Sequence, residues 1–80
     1  METTLFSEVT TLIRKTLKKP DLQIGPQDSP DSIQGWDSLY HALLIDQLQK
    51  QFQIRFSLDQ LLEMHTVEDI CRAITQARAK

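Results

Sequence analysis

All the helix-breaking residues of this chain fall within a single stretch. Its three prolines and two glycines lie within residues 20–36, interleaved with Asp, Ser and Gln. Proline interrupts helices, and such mixed stretches favour turns. We therefore predict one long loop over residues 20–37, with helical structure before and after it.

The segment before the loop has the pattern of an amphipathic helix. Over residues 4–19 apolar side chains recur at spacings of three and four, which places them on one helical face. The face comprises Leu5, Phe6, Val9, Leu12, Ile13 and Leu17. We predict a first helix over residues 4–19 that Pro20 stops.

The predicted loop is long for so small a domain, and such loops are usually tied down by their own apolar residues or are functional. We expect four apolar residues to anchor it to the core: Leu22, Ile24, Ile33 and Trp36. We also expect the loop to run back along the first helix, so that the next helix begins at the far end.

A second helix is predicted over residues 38–53. Leu44, Leu48 and Phe52 have the four-residue spacing of one face, which we expect to be core. Asp37 is placed to cap this helix. Ser38 lies in its first turn, where unpaired backbone N–H groups and the helix dipole favour an anion such as a phosphate.

Two further helices follow, and each opens with a capping-box pattern. Ser57 precedes Gln60 by three residues and predicts a short helix over 57–63, while Thr66 precedes Asp69 and predicts a last helix over 66–78. We expect the core to be closed by Leu58, Leu61, Leu62 and Met64. The inward stripe of the last helix is predicted to be Val67, Ile70, Cys71 and Ile74. The result is a single all-α domain, residues 1–80, built as a small helical bundle.

The length and composition of the chain exclude several classes of function. Eighty residues form one small domain without room for a deep enzyme cleft. The net charge of −2 and the scattered Lys and Arg argue against nucleic-acid binding. The N-terminus lacks a basic leader followed by an apolar run, and no apolar stretch is long enough to span a bilayer, so we expect a cytoplasmic protein. We also expect it to be a monomer. Its starting Met1 suggests a discrete protein, although an excised domain given a start codon would look the same.

The residues around Ser38 resemble the acyl carrier proteins, in which Asp-Ser-Leu heads the second helix and the serine carries 4′-phosphopantetheine. Here these are Asp37, Ser38 and Leu39, and the resemblance continues through the Leu44, Leu48, Phe52 row, the link at 53–57 and the opening of the last helix at 66–70. It spans roughly residues 4–77.

This resemblance implies a four-helix bundle with a long loop between helices 1 and 2. It also implies covalent 4′-phosphopantetheine on Ser38, whose thiol holds an acyl group as a thioester. A phosphopantetheinyl transferase would attach the arm, and acyl-loading and acyl-processing enzymes would be the other partners. The protein itself would not be an enzyme.

The second helix departs from the pattern of carriers in fatty acid synthesis, which usually place several acidic residues there. The matching positions here include Leu43, Gln49 and Lys50, so electrostatic steering of partners should be weaker. We expect the partner face to comprise Asp37, Leu39, Tyr40, Leu43, Asp46 and Gln47. The function we predict is that of an acyl carrier in a fatty acid, polyketide or specialised lipid pathway. The departure in the second helix favours a dedicated carrier for a specialised pathway, such as a stand-alone polyketide, lipid or surface-glycan system.

Two alternatives remain open from the sequence: an aminoacyl or peptidyl carrier, and an unmodified helical adaptor that binds a partner helix. A hydrolytic triad of Ser38, His41 and Asp37 is disfavoured, because one short stretch of helix cannot also supply an oxyanion hole and a substrate pocket. Two His and one Cys this scattered do not form a metal site. We expect surface or loop histidines and a buried, structural Cys71.

Overall fold

A computed structural model describes residues 3–78 of the chain, and within that range four α-helices form an all-α bundle. The helices are α1, Thr3–Leu17; α2, Ser38–Phe52; α3, Leu58–Glu63; and α4, Val67–Arg78. The all-α fold and the long loop between the first two helices are thus confirmed. Within the described range no helix combines the length and apolarity needed to cross a membrane.

The first helix ends earlier than predicted. It stops at Leu17 rather than Lys19, because Lys18 adopts the left-handed conformation with φ 59° and the amide of Lys19 then donates to the carbonyl of Arg14 at 2.9 Å. Gln53 ends α2 in the same way, with φ 54°. Both positions are of the kind usually occupied by glycine, so the sequence offered no sign of the left-handed turn, and Pro20 is not what ends α1.

The predicted caps of the last two helices are confirmed. Ser57 and Gln60 form a reciprocal capping box at the start of α3. At the start of α4, Asp69 N donates to Thr66 Oγ1, and the Asp69 carboxylate accepts from Thr66 N, both at 3.2 Å. Each helix begins one residue after its capping residue, as is usual for an N-cap.

The core lies around α1, which packs against both α2 and α4. Its fully buried side chains are drawn from those three helices and include Leu5, Val9, Ile13, Leu44, Leu48, Ile70 and Ile74. Phe6, Leu17 and Phe52 are partly buried against this cluster. The apolar stripes predicted for α1, α2 and α4 therefore face inward, as their spacing indicated.

The path of the long loop differs from the prediction. Lys19, just beyond the end of α1, donates from Nζ to the carbonyl of Gln34 at 2.8 Å. The neighbouring Gly35 turns with φ 92°, and a Cβ at this position would lie 3.3 Å from the same Nζ. The loop thus returns to the end of α1 from which it departs, so α2 begins there and runs back along α1.

The same loop closes the start of α4. The carbonyls of Pro26 and Asp28 accept hydrogen bonds from Glu68 N at 3.0 Å and Val67 N at 2.9 Å. The Asp28 carboxylate holds the loop in shape by accepting from Gly25 N at 2.7 Å and from the Ser32 hydroxyl at 3.1 Å. This loop is therefore an ordered part of the fold.

The four anchors predicted for the loop do contact the core, although to different extents. Ile33 and Trp36 are buried, with 6% and 3% of their surface exposed. Leu22 and Ile24 are partly buried against the same cluster. The later half of the loop is thus the more deeply anchored.

The short helix α3 forms where it was predicted, but the predicted burial of its leucines is wrong. Leu58, Leu61 and Leu62 are 70%, 38% and 66% exposed, and of the predicted residues only Met64 is buried. Phe56 before the helix and Met64 after it are each 5% exposed. The residues on either side of α3 thus belong to the core, whereas the leucines of the helix itself remain outside it.

Candidate functional site

A groove opens beside the start of α2. It has a volume of about 1250 Å³ and lies between the end of the long loop, the first half of α2 and the segment that joins α3 to α4. The residues that line it include Trp36, Ser38, His41, Ile45, Met64 and Thr66. The lining of the groove thus combines apolar side chains with polar ones from the loop, from the start of α2 and from the link to α4.

Ser38 is the first residue of α2, and its side chain is exposed at the rim of this groove. The cap of the helix is supplied by Asp37, whose Oδ1 accepts from Tyr40 N at 3.0 Å, as the sequence predicted. The Ser38 hydroxyl makes no hydrogen bond to any other residue in the described range 3–78. It is therefore available for reaction without loss of the cap.

The first backbone donors of α2 are also available. Among the described residues, the amides of Ser38 and Leu39 have no hydrogen-bond acceptor, whereas Asp37 satisfies those of Tyr40 and His41. Free N–H groups at the positive end of a helix dipole attract negative charge. A phosphate on Ser38 would meet both of these donors.

His41 connects α2 to the end of the loop. Trp36 Nε1 donates a hydrogen bond to His41 Nδ1 at 3.2 Å, and the two ring centroids are 5.9 Å apart. Burial lowers the pKa of His41 below its ordinary value of 6.5. The prediction of a surface or loop histidine is therefore wrong for His41, which is half-buried in α2, and correct for His65, which is exposed between α3 and α4.

The structure gives no support to a hydrolytic triad or to chemistry at the thiol. His41 bonds to Trp36 rather than to Ser38 or Asp37. Cys71 is buried, and its burial, together with the charge of Glu68, raises the pKa of the thiol to about 11. This thiol is therefore protonated at neutral pH and enclosed in the core. Across residues 3–78 no cluster of three potential metal ligands occurs.

Not all of the residues predicted to contact partner proteins lie on one exposed surface. Leu39 and Leu43 are 66% and 45% exposed, one helical turn apart, and Asp46 and Gln47 are also exposed. Asp46 forms an ion pair with Lys50 at 3.0 Å. Tyr40 differs from these residues because it packs against the core.

The sequence interpretation missed two parts of this region. It assigned the exposed leucines of α3 to the core, although Leu58, Leu61 and Leu62 are all exposed. It also treated His41 as incidental. Its position three residues after Ser38, on the same side of α2, was the available signal that both line one groove.

Comparison with protein families finds a match to the family model described as the phosphopantetheine attachment site, over residues 7–74. Among solved structures, the chain is similar to a solution NMR structure of a holo acyl carrier protein from Geobacter metallireducens. The two share 25% sequence identity with a TM-score of 0.87, and the match covers 96% of this chain and 88% of the other. The comparison with curated protein sequences yields no match.

Proposed function

The chain belongs to the phosphopantetheine attachment family, whose members are carriers rather than enzymes, and from this premise we propose that Ser38 holds the 4′-phosphopantetheine arm. The observation that supports this assignment is the accessibility of the Ser38 side chain. Its hydroxyl is exposed, unused in capping and located at the rim of the large groove.

The surroundings of Ser38 fit the group. The amides of Ser38 and Leu39 offer donors to a phosphate, and the helix dipole favours its charge. In the attachment step, the Ser38 oxygen forms a bond to the phosphorus that bears pantetheine in coenzyme A. The bond between this phosphorus and the oxygen that bridges it to the second phosphate breaks, so that adenosine 3′,5′-bisphosphate leaves. The hydroxyl proton passes to a base of the transferase.

The groove supports a second role, in which it receives the arm and the first part of its cargo. Ile45 and Met64 supply apolar wall, while His41 and Thr66 supply polar groups. Removing an acyl chain from water is favourable at about 25 cal/mol for each Å² of apolar surface buried. The arm supplies the thiol that holds the cargo, since Cys71 is enclosed in the core.

For the cargo we propose an acyl group, delivered within a fatty acid, polyketide or specialised lipid pathway. The outward face of α2 supports a dedicated system, because it presents Leu39 and Leu43 and its Asp46 is paired with Lys50. A face of this kind binds partners by apolar contact more than by charge. We therefore expect the association rate with the natural partner to depend only weakly on salt concentration, and a steep dependence would contradict this proposal.

An aminoacyl or peptidyl carrier would use the same arm on the same serine. Loading assays with acyl-activating and amino-acid-adenylating enzymes distinguish the two cargoes. Membership in the carrier family favours either form over the unmodified adaptor. The cytoplasmic location and the monomeric state stay predictions from the sequence.

The test of the assignment is intact mass after incubation with coenzyme A and a broad-specificity phosphopantetheinyl transferase. We expect a gain of one phosphopantetheine in the wild type and in Ser57→Ala, and none in Ser38→Ala. Ser57 is a matched control because it too is an exposed serine at the start of a helix. A gain that persists in Ser38→Ala would refute the assignment.

A further inference from the structure

His41 has a defined protonation state that the carrier role does not by itself require. An indole N–H is a donor only, so the nitrogen that accepts from Trp36, Nδ1, has no proton. A neutral imidazole has its single proton on the other nitrogen. The contact with Trp36 therefore selects the tautomer in which Nε2 is the donor.

This second nitrogen belongs to a side chain that lines the groove, and it is accessible to solvent. His41 is one of the lining residues, and Nε2 has no hydrogen-bond partner within residues 3–78. In that same range no buried side-chain nitrogen or oxygen lacks a partner. The Nε2–H group is therefore in contact with solvent rather than sealed in the core, and it is an unused donor beside Ser38.

We propose, on the basis of the proposed function, that His41 positions the arm by donating a hydrogen bond from Nε2–H to the amide carbonyl of the pantoyl unit. His41 follows Ser38 by three residues, so the two side chains are neighbours on one face of α2. That carbonyl is the first amide acceptor after the phosphate. The bond directs the arm into the groove rather than into open solvent.

The burial of His41 supports this role. The half-buried site lowers the pKa of His41, which keeps the imidazole neutral at physiological pH. The Trp36 side chain is itself buried in the core cluster, so the donor nitrogen is held against a rigid support. A preorganised donor loses less conformational entropy when it binds than a mobile one.

A purely structural role for His41, as an anchor for Trp36, is the competing explanation. Two variants separate the roles. His41→Asn places an oxygen near the position of Nδ1 and retains an acceptor for Trp36, but it has no group at the position of Nε2. His41→Gln places its amide near the position of Nε2 and has no acceptor near Nδ1.

The first measurement needs no variant. Nitrogen-15 NMR of the imidazole of the apo-protein is expected to show the tautomer protonated at Nε2. After attachment of the arm, solvent exchange of that proton is expected to slow about fivefold, the factor for a hydrogen bond of ordinary net strength. The opposite tautomer, or equal exchange in the apo and holo forms, would overturn the proposal.

The variants supply the second measurement. Nuclear Overhauser contacts between the pantoyl methyl groups and Ala42 are expected in the holo wild type and in His41→Gln, and are expected to be lost in His41→Asn. Trp36 fluorescence should change in His41→Gln alone. Contacts that are lost in His41→Gln and retained in His41→Asn would show that His41 acts only as an anchor for Trp36. Absence of mass gain at Ser38 would instead refute the proposed function, so the two failures are distinguishable.

Discussion

The starts of α2 and α4 have similar local sequences, but their first backbone amides are in different environments. Asp37 caps α2 and Thr66 caps α4, and each cap is followed by a helix with a buried apolar face. At α4 the loop carbonyls of Pro26 and Asp28 take up the first two amides. At α2 the corresponding amides have no acceptor within the described part of the chain.

The difference shows how one fold makes a structural helix start and a reactive one. A buried amide without a partner costs free energy, so α4, whose first residue Val67 is fully buried, needs the loop carbonyls. Ser38 and Leu39 are exposed, and water satisfies their amides until an anion replaces it. The loop covers the start of α4 and leaves the start of α2 exposed. Only the start of α2 is therefore accessible for reaction.

The largest difference is expected from side-chain truncation. Ile70→Ala at the start of α4 should lower the free energy of unfolding by about 3 kcal/mol, because it removes a fully buried side chain. Leu39→Ala at the start of α2 should change it by less than about 0.5 kcal/mol. Urea unfolding measures both. Similar losses in the two variants would remove the distinction between a closed and an open helix start.

Alkaline pH should weaken the α4 side. The pKa of Cys71 is raised from 9.0 to about 11 in the native protein, so between these values the unfolded chain loses a proton that the native chain keeps. Stability is therefore full below pH 9 and falls by roughly 2–3 kcal/mol as pH rises through 11. The measurement is urea unfolding from pH 8 to pH 11. Cys71→Ala is the control, and an equal fall in that variant would contradict the assignment.

Removal of either cap should lower stability by a similar amount, but only one of the two changes should affect the modification of Ser38. Asp37→Ala and Thr66→Ala are each expected to lower the free energy of unfolding by about 1 kcal/mol. Only Asp37→Ala should also slow the modification of Ser38, because it disturbs the first turn that holds the serine. Rates of phosphopantetheine attachment at a temperature where both variants are folded test this, and equal slowing in both would argue for a general stability effect.

Acid should weaken the α2 side, and this is the smallest of the expected effects. Burial lowers the pKa of His41 below 6.5, so the unfolded chain binds a proton more readily than the native one. The stabilisation is present above pH 6.5 and is lost as pH falls towards and through the native pKa. Thermal unfolding from pH 7.5 to pH 5 in the wild type and in His41→Asn measures it. A wild type no more acid-sensitive than the variant would oppose this prediction.

Much of the site was open to prediction from sequence because it depends on local interactions. The cap by Asp37, the position of Ser38 in the first turn and the inward row of Leu44 and Leu48 all follow from spacing within a few residues. The groove was not predictable in this way. It is formed by segments far apart in the chain, from the loop at Trp36 to the link at Thr66.

The errors have a common physical origin. Apolar content indicated that the leucines of α3 would be buried, but the structure buries Phe56 and Met64 on either side of them instead. The tautomer of His41 depends on where the loop brings Trp36, and no local pattern gives that. Burial and long-range contact depend on which segments meet, and many arrangements are compatible with one pattern of side chains.

The sequence by itself determined the helices, three of their inward faces, the three caps and the serine at the head of α2, because hydrogen bonds and periodicity over three or four residues fix these features. Only the tertiary structure decided which helix start is closed, which leucines are exposed and what surrounds His41. These features depend on the return of the loop to the end of α1, where its carbonyls meet α4 and its tryptophan meets α2.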